Sequence, residues 1–134
     1  MLFEDINYEI FGLKRSNLFS PEETLMHGIL FKDEYVPYRN FPVFKLIAKN
    51  DREACLLKLY ELDQVINDLN LYLDLNPKDD YHYSLFKKYV NEFEKEKEKY
   101  EKLYGPLMLC DTDYQSYKWL ENPWPWESSG DMYV

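Results

Sequence analysis

The fold is decided by residues 51–106, DREACLLKLYELDQVINDLNLYLDLNPKDDYHYSLFKKYVNEFEKEKEKYEKLYGP. In the first half of this stretch, apolar residues recur at spacings of four and three, which places them on one face of a helix. They are Cys55, Leu59, Leu62, Ile66, Leu69 and Leu73. The second half repeats the pattern, interrupted once by Glu96, with mostly aromatic residues: Phe86, Tyr89, Phe93, Tyr100 and Leu103. Because neither face is stable in water and the connection between them is short, we predict a mainly α fold built on an antiparallel hairpin of helices at about residues 51–76 and 80–104.

Residues at the ends of the two segments support these limits. Asn50 or Asp51 can cap the first long helix, and the helix should end before Pro77. Asp79 or Asp80 can cap the second, which should stop at Gly105-Pro106. The charged run at residues 92–102 predicts a solvated helix face with ion pairs such as Glu92–Lys95 and Glu98–Lys102.

Residues 1–50 are predicted to form an N-terminal arm. Residues 1–19 carry only a weak strand signal around Tyr8 and Ile10. The sequence Ser20-Pro21-Glu22-Glu23, followed by Gly28, predicts a short helix at about residues 21–27 that begins with a capping box.

An aromatic, proline-interrupted strap follows at residues 29–47. Pro37 and Pro42 exclude a continuous helix here and favour an extended chain. At the other end of the sequence, the C-terminal arm at residues 107–134 has prolines on both sides of Trp124, so it should also be extended and present large, pre-ordered rings. Both segments could pack on their own hairpin or on a partner, and the sequence leaves this open. Our candidate partner-binding residues are Tyr35, Pro37, Tyr38, Phe41, Phe44, Trp119, Pro123, Trp124, Pro125 and Trp126.

Composition excludes several classes of function. The net charge of −9 over 134 residues argues against nucleic acid or an anionic membrane as the main partner. There is no apolar run long enough for a membrane span, and the first residues lack the features of a signal peptide, so we expect the protein to be made and kept in the cytoplasm of the cell that produces it. His27, His82 and the two cysteines lack metal-ligand spacing. With no nucleophile motif and no glycine-rich phosphate loop, we expect neither an enzyme nor a bound cofactor or metal.

Several motifs, taken together, resemble the spore coat JB family over about residues 53–127. They are Leu71-Tyr72-Leu73-Asp74, Asn76-Pro77, Asp79-Asp80-Tyr81, Tyr104-Gly105-Pro106-Leu107, Trp119 and Pro123-Trp124-Pro125-Trp126. Residues 19–40 are similar to the companion JA coat protein through Ser20-Pro21, Glu23, Leu25-Met26, Gly28, Leu30, Tyr35 and Pro37-Tyr38. On this basis we divide the chain into a JA-like part, residues 1–50, and a JB-like part, residues 51–134.

The resemblance implies a structural protein of the endospore inner coat, made in the mother cell and assembled with a manganese-catalase-like JC coat protein. It implies no catalytic residues. The alternative from another class is an accessory binding module for such a manganese enzyme that never becomes coat material. Whether the chain also forms homo-oligomers is left open.

Overall fold

A computed structural model describes residues 17–108 of the chain. This part contains three α-helices: α1 at Pro21–His27, α2 at Asp51–Leu75 and α3 at Asp80–Tyr104, with a short 3-10 helix at Lys32–Glu34. The long helices pack side by side as the predicted antiparallel hairpin, which is confirmed, and α1 packs on α2. Within residues 17–108, none of the helices has the length and apolar character that a membrane span requires. The predicted strand signal near residue 8 and the C-terminal arm from residue 109 lie outside the described residues.

Helix α1 begins with the predicted capping box. Ser20 Oγ accepts a hydrogen bond from the Glu23 amide at 3.2 Å, and the Glu23 carboxylate accepts one from the Ser20 amide at 3.0 Å. Pro21 occupies the first turn, where its missing N–H removes no helical bond. Gly28 ends the helix with a φ of 74°, a left-handed conformation that glycine adopts without strain. The sequence thus determined both limits of this short element.

The long helices also begin and end where the sequence predicted. Asn50 caps α2 by accepting from the Glu53 amide at 2.9 Å, and Asp79 caps α3 by accepting from the His82 amide at 3.0 Å. Asn76 closes the last turn of α2 through its amide, which donates to the carbonyl of Tyr72. Each long helix has 25 residues and is therefore about 37 Å long.

Helix α2 is buried over a wider face than its spacing pattern predicted. Three residues of the predicted face are buried: Leu59, Leu62 and Leu69. Val65 is also fully buried, whereas the predicted Ile66 is only half-buried. The buried face is wider because a second partner besides α3 packs on α2. Val65 and Leu69 form one core cluster with Leu30 from the N-terminal segment. A heptad pattern describes contact with one partner helix and does not anticipate a second contact surface.

On α3 the predicted aromatic face is correct except at its end. Tyr100 is buried, and Phe86, Tyr89 and Phe93 are half-buried. Leu103, which we predicted to be on the buried face, is 61% exposed. The Tyr100 hydroxyl accepts a hydrogen bond from Arg52 Nε at 3.1 Å, so Tyr100 lies level with the second residue of α2. Residues beyond it extend past the start of α2, and Leu103 therefore remains in solvent.

The N-terminal segment docks on the hairpin through backbone and side chain together. Leu18 and Phe31 face each other in an isolated antiparallel β-bridge, so the chain on either side of α1 is joined. Leu30 is completely buried, and its amide donates to Asp68 Oδ2 of α2 at 2.8 Å. Gln64 Nε2 donates to the other oxygen of Asp68 at 3.2 Å. Apolar contact thus holds this segment against α2, and Asp68 fixes its register.

The charged face of α3 forms ion pairs, although not all of those predicted. Lys102 Nζ lies 2.9 Å from Glu98 Oε1, as expected. Glu92 pairs with Lys88 at 4.0 Å, one turn earlier, instead of with Lys95. Such exposed pairs contribute little to stability, so this face mainly keeps the helix soluble on its outer side.

Replacing Asp68 with Ala is expected to lower the free energy of unfolding by about 1.5–3 kcal/mol, because the buried Leu30 amide loses a charged acceptor. Urea denaturation measures the loss, and amide hydrogen exchange at Leu30 should become faster. Asp63→Ala is the matched control, since Asp63 is exposed on the same helix. Equal stabilities of the two variants would contradict this role for Asp68.

Candidate protein-interaction surface

The strap leaves the docked N-terminal segment through a small ring cluster. The Phe19 and His27 rings stack at a centroid distance of 4.4 Å, with an interplanar angle of 6°. Tyr35 places its ring edge-on to both, at 5.9 Å from Phe19 and 4.7 Å from His27. The His27 ring is itself held by Nδ1, which donates to the carbonyl of Glu23 at 2.8 Å. The start of the strap is therefore fixed against α1.

Beyond Tyr35, three aromatic rings lie exposed in a row, and we call Tyr38, Phe41 and Phe44 the strap rings. Tyr38 is 79%, Phe41 60% and Phe44 56% exposed. Neighbouring rings meet edge to face, with centroid distances of 6.3 Å for Tyr38–Phe41 and 6.2 Å for Phe41–Phe44. Edge-to-face contact is a favoured aromatic geometry, so the three rings support each other without being buried.

The backbone under the strap rings is shaped by a turn. The Phe41 amide donates to the carbonyl of Tyr38 at 3.4 Å, and Asn40 has a φ of 59°. Asparagine tolerates this left-handed conformation better than other non-glycine residues do. With Pro37 before the turn and Pro42 after it, little conformational freedom is left to the strap.

The second half of the strap is held to the helices by charge. Lys45 Nζ lies 2.7 Å from Glu22 Oε1 of α1. Burial raises the pKa of Glu61 on α2, and Lys58 on the same helix, with a smaller contribution from Lys45 of the strap, acts in the opposite direction. Just after the strap, the Lys49 amide donates to the carboxylate of Glu53 at 2.7 Å. The strap therefore crosses from α1 to the start of α2 along a defined path.

An exposed row of rings on a restrained backbone has the properties of a binding surface. Large apolar side chains that protrude into water gain free energy when a partner covers them. Because the strap is already ordered, binding costs little conformational entropy. The charged residues between positions 35 and 49 are all basic (Arg39, Lys45 and Lys49), so the surface favours an acidic partner.

The turn of the hairpin contains a polar cluster that has a structural role. Asp79 Oδ2 accepts from the Tyr72 hydroxyl and from His82 Nδ1, both at 2.7 Å. These bonds join the end of α2 to the start of α3. The Phe31 ring from the N-terminal segment lies 5.1 Å from that of Tyr72 and 6.2 Å from that of His82. All three parts of the described fold therefore meet at this cluster.

Within this cluster, His82 is the residue whose chemistry would best suit a catalytic or ligand-binding role. Its side chain is 1% exposed, and because an ionised carboxylate only accepts hydrogen bonds, Nδ1 carries a proton toward Asp79. Its other nitrogen, Nε2, is buried without a hydrogen-bond partner in the described part of the chain. Within the described residues, only one of its two ring nitrogens therefore has a hydrogen-bond partner. Among residues 17–108, no three His, Cys, Asp or Glu side chains are grouped so that they could hold a metal ion.

The structure separates the predicted binding residues into three groups. Tyr35 is half-buried in its ring cluster, whereas Pro37 and the strap rings are exposed. The predicted residues of the C-terminal arm, Trp119, Pro123, Trp124, Pro125 and Trp126, lie outside the described residues. Two large apolar residues of the strap that we did not predict as binding residues are also exposed, Val36 at 79% and Ile47 at 47%. The sequence shows that both residues are apolar, but it does not indicate which strap residues face away from the helices.

Comparison with known proteins found a family match that covers the hairpin and part of the C-terminal arm. Residues 53–127 match the family described as CotJB protein, which is more than half of the chain. The chain belongs to the CotJB family. This is a spore coat family that is not known as a family of enzymes. No curated protein and no solved structure matches the chain.

The CotJB match begins within the first turn of α2 and includes the turn cluster and all of α3. The strap and α1 precede the matched residues. No match to a JA protein was found, so the resemblance of residues 19–40 to that protein stays a prediction. The division of the chain at residue 50 stays a prediction as well.

The polar cluster at the hairpin turn, formed by Tyr72, Asp79 and His82, should make the protein less stable as the pH rises into the alkaline range. Burial, together with the hydrogen bond to Asp79, raises the pKa of Tyr72 from its ordinary value of 10 to about 12. The unfolded chain therefore loses this proton at a lower pH than the folded chain does, and the stabilisation present below pH 10 is lost between about pH 10 and 12. Tyr72→Phe should be less stable at neutral pH and should lose less stability across this window. Thermal melts of both proteins at several pH values test this, and parallel pH profiles would contradict it.

Proposed function

We propose that this CotJB-family chain is a non-catalytic structural component of the bacterial endospore inner coat. It is made in the cytoplasm of the mother cell and binds other coat proteins, including the manganese-catalase-like JC coat protein. The strap rings, with Trp124 and Trp126 of the C-terminal arm, supply the contact. Family membership supports the coat context, and the exposed row of strap rings supports the binding role.

The observation that carries the binding role is the exposure of Tyr38, Phe41 and Phe44 on a backbone that is otherwise restrained. A folded domain of this size has few reasons to hold three large rings in water in one row. Aromatic residues with a neighbouring arginine, here Arg39, are the side chains that most often dominate the binding energy of protein interfaces.

The rest of the described chain favours a structural role over a catalytic one. The polar side chains at the hairpin turn and at Asp68 make short contacts that hold elements of the fold together. Side-chain chemistry there is used for positioning helices. The described surface offers apolar contact area and charge, which are the means of assembly.

Co-purification with the catalase-like coat protein tests the proposal directly. Phe41→Ala combined with Phe44→Ala should weaken the complex about tenfold or more, since truncating two interface rings removes at least ~1.4 kcal/mol of binding free energy. The matched control is Tyr60→Ala with Tyr83→Ala, because these rings are 46% and 49% exposed on α2 and α3. Equal recovery of the partner with both double variants would contradict strap-mediated binding.

The same experiment with Trp124→Ala and Trp126→Ala tests the contribution of the C-terminal arm. A loss of partner comparable to that caused by the strap variant is expected. Unchanged recovery would count against contact through these tryptophans.

The position of the protein in purified mature spores separates the coat role from its alternative. A coat component should be abundant in the coat extract. An accessory module that only serves a manganese enzyme would be absent from that extract, and this result would overturn the structural role.

A further inference from the structure

We infer that the protein binds a second copy of itself through the side of α2 that faces away from the core. The contact is antiparallel and two-fold symmetric, so the same residues serve in both copies. It does not use the strap rings, and it does not depend on the coat partner proposed above. Three observations carry it: an exposed row of residues on α2, the symmetry of that row, and opposite charges just beyond its two ends.

Helix α2 packs against two elements and leaves another side uncovered. Both α1 and α3 contact it. Its four buried residues fall within about 120° of the helix circumference. On the opposite side, a row of residues recurs at spacings of four and three, which keeps them on one face. We call this row the outer stripe, and its members are Leu56, Tyr60, Gln64, Asn67, Leu71 and Leu75.

Three large apolar side chains of the outer stripe protrude into water. Tyr60 is 46%, Leu71 57% and Leu75 84% exposed. Leu56, at the other end of the stripe, is half-buried. Covering these side chains with another apolar surface removes their area from water, which is favourable.

The outer stripe has the same order of residue types in both directions. From its centre, between positions 65 and 66, each half consists of one amide followed by two apolar residues at steps of four. A two-fold contact requires a surface that complements itself, and this order provides one. When two α2 helices pack antiparallel about that centre, apolar residues meet apolar residues and amides meet amides. The resulting pairs are Leu56 with Leu75, Tyr60 with Leu71, and Gln64 with Asn67, each formed twice.

The spacing of the outer stripe also suits a long contact. Its residues recur every 11 positions, as Tyr60 and Leu71 do. An 11-residue repeat corresponds to about 3.67 residues per turn, close to the value of the α-helix itself. The stripe therefore stays on one side of α2 over the roughly 28 Å that separate Leu56 from Leu75. The face toward α3 has a seven-residue spacing instead, so α2 carries two separate contact patterns.

The two amides at the centre of the stripe can bond across the symmetry axis. Gln64 Nε2 donates to Asp68 within the chain at 3.2 Å, and in the described part of the chain its carbonyl oxygen accepts no bond. Asn67 is exposed, and its side chain has no partner among residues 17–108. The Asn67 amide of one copy can therefore donate to Gln64 of the other. A polar pair within an apolar contact fixes its register.

Opposite charges lie at equal distances beyond the two ends of the stripe. Glu53 is three positions before Leu56, and Lys78, in the turn that follows α2, is three positions after Leu75. The antiparallel arrangement brings Lys78 of each copy to Glu53 of the other. Within the described chain neither side chain forms an ion pair, and Lys78 is exposed. This charge complementarity favours a second copy in antiparallel orientation as the occupant of the stripe.

The contact is small, so the dimer should be weak. A strip about 28 Å long and about 10 Å wide covers roughly 300 Å² on each copy. Standard stable interfaces cover about 800 Å² per partner. We therefore expect a monomer at about 10 μM and a dimer at about 1 mM. The dimer presents two straps at opposite ends, because each strap enters its own α2 at Asn50.

Sedimentation equilibrium of the full chain over this range of concentration tests the contact. Leu71→Glu should raise the dissociation constant at least tenfold, because it places a carboxylate against Tyr60 of the second copy, where it loses water. Leu103→Glu is the matched control and should leave self-association unchanged, since Leu103 is 61% exposed on α3. Both changes are at exposed positions, so the helical circular dichroism of the two variants should be equal. Equal dissociation constants for the two variants would contradict the assigned face.

Disulfide trapping tests the register. Tyr60→Cys combined with Leu71→Cys, in a chain that also carries Cys55→Ala and Cys110→Ala, should give a covalent dimer when oxidised by air at high protein concentration. The single variants Tyr60→Cys and Leu71→Cys in the same background are the controls. In the antiparallel pair, identical positions lie about 16 Å apart along the axis, beyond the reach of a disulfide.

Two results would overturn the inference. One is a protein that remains monomeric at 1 mM, and the other is equal covalent linkage of the single and double cysteine variants, which would show that the helices meet in no fixed register. Neither experiment contains a coat protein, and at the micromolar concentrations of co-purification the chain is a monomer. Failure here therefore leaves the proposed coat role to be judged by co-purification.

Discussion

The described structure depends on burying α2 on two sides at once. Leu62 faces the core of the hairpin, while Val65 and Leu69 also contact Leu30 of the N-terminal segment. These four side chains are completely buried. Because burial of each such side chain is worth about 1.5–3 kcal/mol relative to exposure, these four residues are the main source of stability within residues 17–108, where few other residues are buried.

Hydrogen bonds to two aspartates fix the relative positions of the elements that the apolar contacts bring together. Asp68 accepts from the Leu30 amide and sets the position of the N-terminal segment along α2. Asp79 accepts from Tyr72 and His82 and sets the angle at which the chain turns from α2 into α3. Apolar surfaces alone can slide past one another, whereas a hydrogen-bonded carboxylate loses its partners when they do.

The sequence predicted the helices almost to the residue, because their ends carry chemistry that acts locally. Ser20, Asn50 and Asp79 each cap a helix with their own side chain, and Gly28 has a conformation that favours glycine. What the sequence could not predict depends on contacts between distant elements. Val65 is buried by a segment more than 30 positions earlier in the chain, a separation that a local spacing pattern does not sample.

The candidate surface was predicted in part for the same reason. Prolines and aromatic residues marked the strap as extended and apolar. They could not distinguish Tyr35, which packs against Phe19 and His27, from Tyr38, which is exposed. That distinction depends on where the strap leaves α1, and this is fixed by the docking of Leu30 on Asp68.

The placement of Phe31 beside Tyr72 and His82 has a geometric consequence for the whole chain. Phe31 is bridged to Leu18, so position 18 lies near the hairpin turn. Helix α3 ends about 37 Å away along its axis, at the opposite end of the hairpin. The two ends of the described chain therefore lie far apart, and two proteins bound at the two tips of the hairpin would be held at that separation.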